Sequence, residues 1–126
     1  MNARLCVLAA AIALAAAVGL GAFGAHAIKG RLAPESFAAY QTAVQYHFWH
    51  ALGLLGVAIL LGQWPTAQAL AWSAWLLIAG LFLFCGSLYA LALTGASWLG
   101  ALTPIGGAAF IAAWVILAWV ASTRPG

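Results

Sequence analysis

From residue 36 to residue 123 the chain carries no Asp, Glu, Lys or Arg. Its five formal charges are Arg4, Lys29, Arg31, Glu35 and Arg124, so 4% of the residues are charged and 67% are hydrophobic. A soluble domain carries roughly 25% charged residues. This chain cannot build a surface for water, and a mean hydropathy of +1.11 places it in lipid. The same shortage limits its chemistry. One carboxylate and three histidines exclude a paired-carboxylate mechanism and a Ser-His-Asp triad within one chain. Four scattered cations make no nucleic-acid footprint. Membrane lipids are the expected surroundings, and nucleic acid is not an expected partner.

A spanning helix needs about 20 mostly apolar residues. Four segments qualify: Leu5 to Ala27, Tyr46 to Leu61 with an upstream helical pattern, Ala69 to Leu93, and Pro104 to Ala121. None shows the alternation of a membrane β-barrel strand. Turn residues set the boundaries. Pro34 suits a first helical position and Glu35 its first turn. Thr66 is expected to cap the third helix, and Thr103 to cap the fourth with Pro104 as its first residue. The spacing predicts helices over 4–28, 34–62, 67–94 and 104–122 in a single domain over residues 1–126. The fold class is therefore all-α: an integral membrane, four-transmembrane-helix antiparallel bundle. Trp64, Trp72, Trp98 and Trp119 lie near segment ends, as interfacial anchors do.

The first segment ends in Ala25-His26-Ala27, which imitates a secretory cleavage site. Its apolar run exceeds the roughly 7–15 residues of a signal core, so it reads as a retained span. It also carries small residues every fourth position: Ala9, Ala13, Ala17, Gly21 and Ala25. Such a ladder is expected to pack against another helix, because small residues let membrane helices approach closely. Four spans put both termini on one side. The positive-inside count is even, with Arg4 and Arg124 against Lys29 and Arg31; Arg4, directly before the first span, assigns the termini to the cytoplasm.

Gly19, Gly21 and Gly24 form a G-x-G-x-x-G, but they lie inside a hydrophobic helix and not after a strand, so no dinucleotide site follows. Cys6 and Cys85 fall at different depths and read as two buried thiols, not a disulfide. The informative stretch is Ala38 to His50, the most polar uncharged part of the chain. At 100° per residue Ala39, Thr42, Ala43, Tyr46, His50 and Gly53 share a face, His47 borders it, and Gln41 and Gln45 lie away. Tyr46 and His50 should point into the bundle, because a polar group facing lipid is costly. Cys85, Ser87 and Tyr89 on the third helix are candidate partners. If Pro34 to Gln45 lies along the interface, with Tyr40, Gln41 and Gln45 on its polar side, then His26, Lys29 and His47 meet at one mouth. A bend or tilt that brings His26 toward His47 is the expectation, with His50 buried and bonded to a neighbouring helix.

The blocks GAFGAHAIKG, TAVQYHFWHALGLL, GSLYALALTG and LGALTPIGGAAF, in this order, resemble a family of small bacterial membrane proteins of the YgdD/YwdK type. This is domain of unknown function 423, related to the eukaryotic transmembrane protein 256. The resemblance covers roughly Gly19 to Trp114. Its motif positions are Gly24, His26, Lys29, Gln45, Tyr46, His47, His50, Ser87, Tyr89, Thr103, Pro104 and Gly107. Ala27 stands where the family is associated with glycine, and Cys85 where serine is more usual; both are small. The resemblance implies a four-helix protein of the bacterial inner membrane with no established activity, and it supplies no catalytic residue.

The candidate polar cluster is therefore His26, Lys29, Gln45, Tyr46, His47, His50, Cys85, Ser87 and Tyr89. A metal or haem held by His26, His47 and His50 is the sharpest chemical reading, yet no carboxylate other than Glu35 could orient the ligands. No metal and no cofactor is assigned. Small-solute or proton transport would need an oligomer. A structural or accessory role, alone or within a homo-oligomer or larger membrane complex, fits the size and negligible loops best. No catalytic constellation is present, so the chain does not read as an enzyme.

Overall fold

A computed structural model describes residues Met1–Arg124. α1 (Ala3–Phe23) opens on Asn2, whose side-chain oxygen accepts from the Leu5 N–H at 2.9 Å. That satisfies one of the donors a helix start leaves without a partner. The helix runs on through a wider π turn, Gly24–Ile28. The chain reverses at Gly30, whose φ of +83° suits a residue with no Cβ. α2 (Pro34–Gln63) has Pro34 and Glu35 in its first turn, where a missing N–H costs nothing and a carboxylate meets the positive end of the dipole. The third span comprises α3 (Gln68–Gly80), a π segment (Leu81–Gly86) and α4 (Ser87–Thr94). Gly95, with φ +71°, ends it and donates its N–H to the Leu91 carbonyl at 2.9 Å. A 3-10 turn, Ser97–Ala101, leads straight into α5 (Leu102–Thr123).

Among the described residues, four helical stretches are long and apolar enough to cross a membrane: Ala3–Ile28, Pro34–Gln63, Gln68–Thr94 and Ser97–Thr123. Short turns join them into an all-α antiparallel arrangement. α2 is the hub. It meets α1 on one flank and the third span on another, and α5 lies mainly against the third span. α1 packs almost wholly on α2. The outside is as apolar as the inside, with Ile12, Phe82, Ile111 and Val115 exposed, as lipid requires. Burial of apolar area therefore gives little drive for helix association, and close van der Waals contact must supply it. Many of the buried positions are accordingly small, among them Cys6, Ala10, Ala17, Ala43, Ala51, Ala74 and Ala113, interleaved with Leu54, Leu70 and Leu77. Glycines also admit aromatic rings. A Cβ at Gly24 would collide with Tyr40, at Gly53 with Trp114, and at Gly80 with Phe110; at Gly106 it would strike the Phe84 backbone.

Two expectations need correction, and a third is met only in part. α3 begins after Ala67 without a side-chain cap; Thr66 offers only its carbonyl, to the Gln68 N–H at 3.0 Å. α5 begins at Leu102, so Thr103 does not cap it and Pro104 is not its first residue. Proline is tolerated there because the first four N–H groups of a helix have no intrahelical acceptor. The third concerns the small-residue ladder. Ala17 is buried and Gly21 touches Val44 and Phe48 of α2, but Ala9 and Ala13 are half-buried and Ala25 is exposed. Four residues turn the helix by about 400°, so a four-residue ladder winds around it by about 40° per step. The buried side of α1 and its π turn is Cys6, Ala10, Ala17, Gly24 and Ile28, which shares Ala17 with the ladder and has Gly21 at its edge on α2.

Candidate functional site

Tyr40, His47, Leu54 and Leu61 stand seven apart on α2 and are all buried, because seven residues complete nearly two turns. Tyr40 is only 1% exposed. Its hydroxyl donates to the Leu20 carbonyl of α1 at 2.5 Å, and its ring meets Tyr89 edge-on at 5.2 Å. Two turns deeper, His47 Nδ1 lies 3.0 Å from the Tyr89 hydroxyl, and His47 lines a groove together with Ala9 and Ala13 of α1. His47 thus stands between the first and third spans. The groove, of about 530 Å³, runs between α1, α2 and the third span; its polar members are His47, Cys85 and Tyr89, among apolar residues such as Ile12, Leu54 and Ile78.

Other polar side chains tie the remaining helices. Ser87 Oγ lies 2.7 Å from Thr103 Oγ1, joining α4 to α5. Ser73 Oγ donates to the Ala113 carbonyl at 2.9 Å, joining α3 to α5. Cys6 Sγ reaches the Leu54 carbonyl at 3.5 Å. Cys6 and Cys85 are both free and buried.

His50 is buried but turns inward on its own helix: Nδ1 donates to the Tyr46 carbonyl at 2.8 Å. Its ring stacks on Phe110 of α5 at 3.6 Å and on Tyr46 at 5.6 Å. The bond expected from His50 to a neighbouring helix belongs to His47. The local carbonyl one turn back satisfies His50 first, leaving its flat face for Phe110.

The predicted mouth does not form. α2 is unbroken from Pro34 to Gln63, so the chain does not enter the membrane afresh at Tyr46, and Tyr40 is core and not interfacial. His26, Lys29 and Gln45 are exposed. Gly24 meets α2 at Tyr40, and His47 is seven residues, about 10 Å, further along; His26 continues α1 away from it. Among the described residues no three His, Cys, Asp or Glu side chains converge as a metal ion would require. The nine-residue cluster divides into three: His47 with Tyr89 and Cys85, Tyr46 with His50, and Ser87 with Thr103, while His26, Lys29 and Gln45 stand apart. Sequence reasoning missed Tyr40, Ser73 and Asn2. The seven-residue row through His47 was a readable signal for Tyr40; Ser73 had none.

The profile of the family described as Protein of unknown function (DUF423) matches residues 20–107. The chain belongs to the DUF423 family. It is 48% identical over 101 residues to the UPF0382 membrane protein YwdK of Bacillus subtilis, covering 80% of this chain and 82% of that one. It is 42% identical over 114 residues to the UPF0382 membrane protein SH2409 of Staphylococcus haemolyticus, covering 90% and 92%. No solved structure matches it. These relatives are named membrane proteins, and the four apolar helices of this chain make it a multi-pass membrane protein, of a family whose biochemical activity is unassigned. The matched stretch starts at Leu20, the acceptor for Tyr40, and takes in His47, Tyr89, Ser87 and Thr103. It leaves out most of α1 and most of α5.

Proposed function

We propose that this DUF423 protein is a non-catalytic structural or accessory component of the bacterial inner membrane, acting by association within the bilayer. One observation carries the reading. The buried polar side chains of the bundle are occupied in bonds to carbonyls, hydroxyls or neighbouring helices: Tyr40 with Leu20, His47 with Tyr89, Ser73 with Ala113, Ser87 with Thr103. This is how polar side chains hold membrane helices together. A solute path would use such groups differently, as an open, hydrated series along the membrane normal. The groove beside His47 is lined mostly by apolar side chains and suits a lipid tail.

An all-helical span set supports the inner membrane, since outer-membrane spans are barrels. Arg4 in the first turn of α1 supports cytoplasmic termini, and a reporter fused after Arg124 tests that side. The role itself is tested by gentle detergent extraction of the tagged full chain, followed by mass spectrometry, alongside flux assays in proteoliposomes. A reproducible stoichiometric assembly without solute or proton flux is the expected result. Selective flux from the purified chain would replace this reading with transport.

A further inference from the structure

The flank of α2 that faces α5 and lipid does not follow the rule of bonded polar groups. Trp49 stands midway along the thirty-residue α2, and Trp114 midway along the twenty-two-residue α5. Tryptophan in membrane proteins gathers at the headgroup layers, and neither position reaches one. Both are open, at 56% and 40% exposure. Tyr46 and His50 lie between them: Tyr46 is 5.3 Å from Trp49, and His50 is 5.9 Å from Trp114, measured between rings.

His50 Nδ1 faces the Tyr46 carbonyl and so carries the ring proton, which makes Nε2 an acceptor. Among the described residues Nε2, the Tyr46 hydroxyl and the two indole N–H groups have no hydrogen-bond partner, and neither Nε2 nor the hydroxyl is sealed from the surface. On the same side of α2, two turns beyond Trp49, Gly56 is exposed with no atom within 4 Å of where a Cβ would sit. It leaves a notch of bare backbone that lets another helix approach.

Lipid tails offer neither donors nor acceptors. This face presents three donors and one acceptor together, which makes it complementary to itself. In a twofold pair each copy's donors can reach the other copy's acceptor. We infer that the chain self-associates through the α2–α5 face, with a second copy of itself as the occupant. The inference stands apart from the accessory role: a chain can pair with itself whether or not it serves another assembly.

The test uses the full chain in phosphatidylethanolamine–phosphatidylglycerol vesicles, with donor and acceptor fluorophores on C-terminal tags, diluted stepwise with lipid. Energy transfer is expected to persist on dilution and to report a dissociation midpoint. An interhelical hydrogen bond in a membrane is worth a few-fold to about tenfold, and a symmetric pair loses each bond twice. Tyr46→Phe combined with His50→Phe should therefore shift the midpoint by about tenfold or more. Gly56→Leu fills the notch without touching the fold of one copy, and should do the same. Trp72→Phe, on α3 and away from this face, should leave the midpoint where it was. Energy transfer that vanishes on dilution of the parent chain overturns the inference. So does a midpoint unmoved by both Gly56→Leu and the double variant, or cross-linking in cells that finds a different protein on this face.

Discussion

Two glycines of one sequence have opposite expectations. At Gly106 a Cβ would strike the backbone of Phe84, which cannot rotate away, whereas at Gly19 it would meet nothing. Gly106→Ala must push α5 off the third span. It should destabilise the protein by about 1–3 kcal/mol, the usual range for overpacking. Gly19→Ala should be neutral or stabilising by about 0.5–1 kcal/mol, since it removes only the backbone freedom of a glycine in a helix. Denaturant titration of the purified chain in mixed micelles, followed by helical circular dichroism, separates the two. The hydroxyl of Tyr89 gives a second contrast. Tyr89→Phe keeps the ring against Tyr40 but deletes the bond to His47, and should cost about 0.6 kcal/mol and at most about 1.7. At this scale the sequence was readable only for residue type. That His50 would be buried followed from the cost of a polar group in lipid; His47 was expected at a mouth beside His26 and is buried instead. Which of them crosses to another helix did not follow, because it depends on a carbonyl four residues back competing with a hydroxyl from a distant span.

Elements were legible where they are bounded by punctuation and opaque where they bend. Pro34 and Glu35 marked the start of α2, and Gly95 lies in the turn foreseen after the third span. The caps assigned to Thr66 and Thr103 failed because a short connection let the chain enter α3 and α5 through tighter turns, leaving the hydroxyls free for other partners. The π segment Leu81–Gly86 left no mark in the hydrophobic pattern, since its residues are apolar at every position. Its effect is geometric. A π turn holds one residue more than an α turn, so it rotates everything after it by about 100° relative to a regular helix. That rotation aims Ser87 at Thr103 and Tyr89 at His47. Phe82 lies in this segment and is 76% exposed, so its side chain is expendable. Deleting residue 82 should convert the turn to α-helix, misdirect both hydroxyls and lower the unfolding midpoint well below that of Phe82→Leu. Equal midpoints for deletion and substitution would show that the π turn does not set the register of α4.

In the whole molecule, contacts are distributed unevenly. α2 to α5 form a mutually packed core joined by His47–Tyr89, Ser73–Ala113 and Ser87–Thr103, whereas α1 rests almost wholly on α2. Four spans and their antiparallel order were readable from apolar length and short connections. The sidelong place of α1 was not, since small residues recur on every side of that helix and no periodicity selects one. The asymmetry predicts how the molecule comes apart. Ala17 is fully buried against α2, and Ala17→Leu inserts three carbons where no space exists. The strain, about 1–3 kcal/mol, should be relieved by α1 lifting away while the other three spans hold. Cys6 reports that event. It is fully buried between α1 and α2, bonded to the Leu54 carbonyl, and only three residues from the start of its helix, within reach of a water-borne thiol reagent once uncovered. In a Cys85→Ala background, Ala17→Leu should speed Cys6 modification by about 5- to 150-fold, the opening equilibrium that such strain implies. Helical content should change little. If α1 were an equal partner in one cooperative bundle, the same substitution would lower helicity throughout, and Cys6 would become reactive only as the whole chain unfolded.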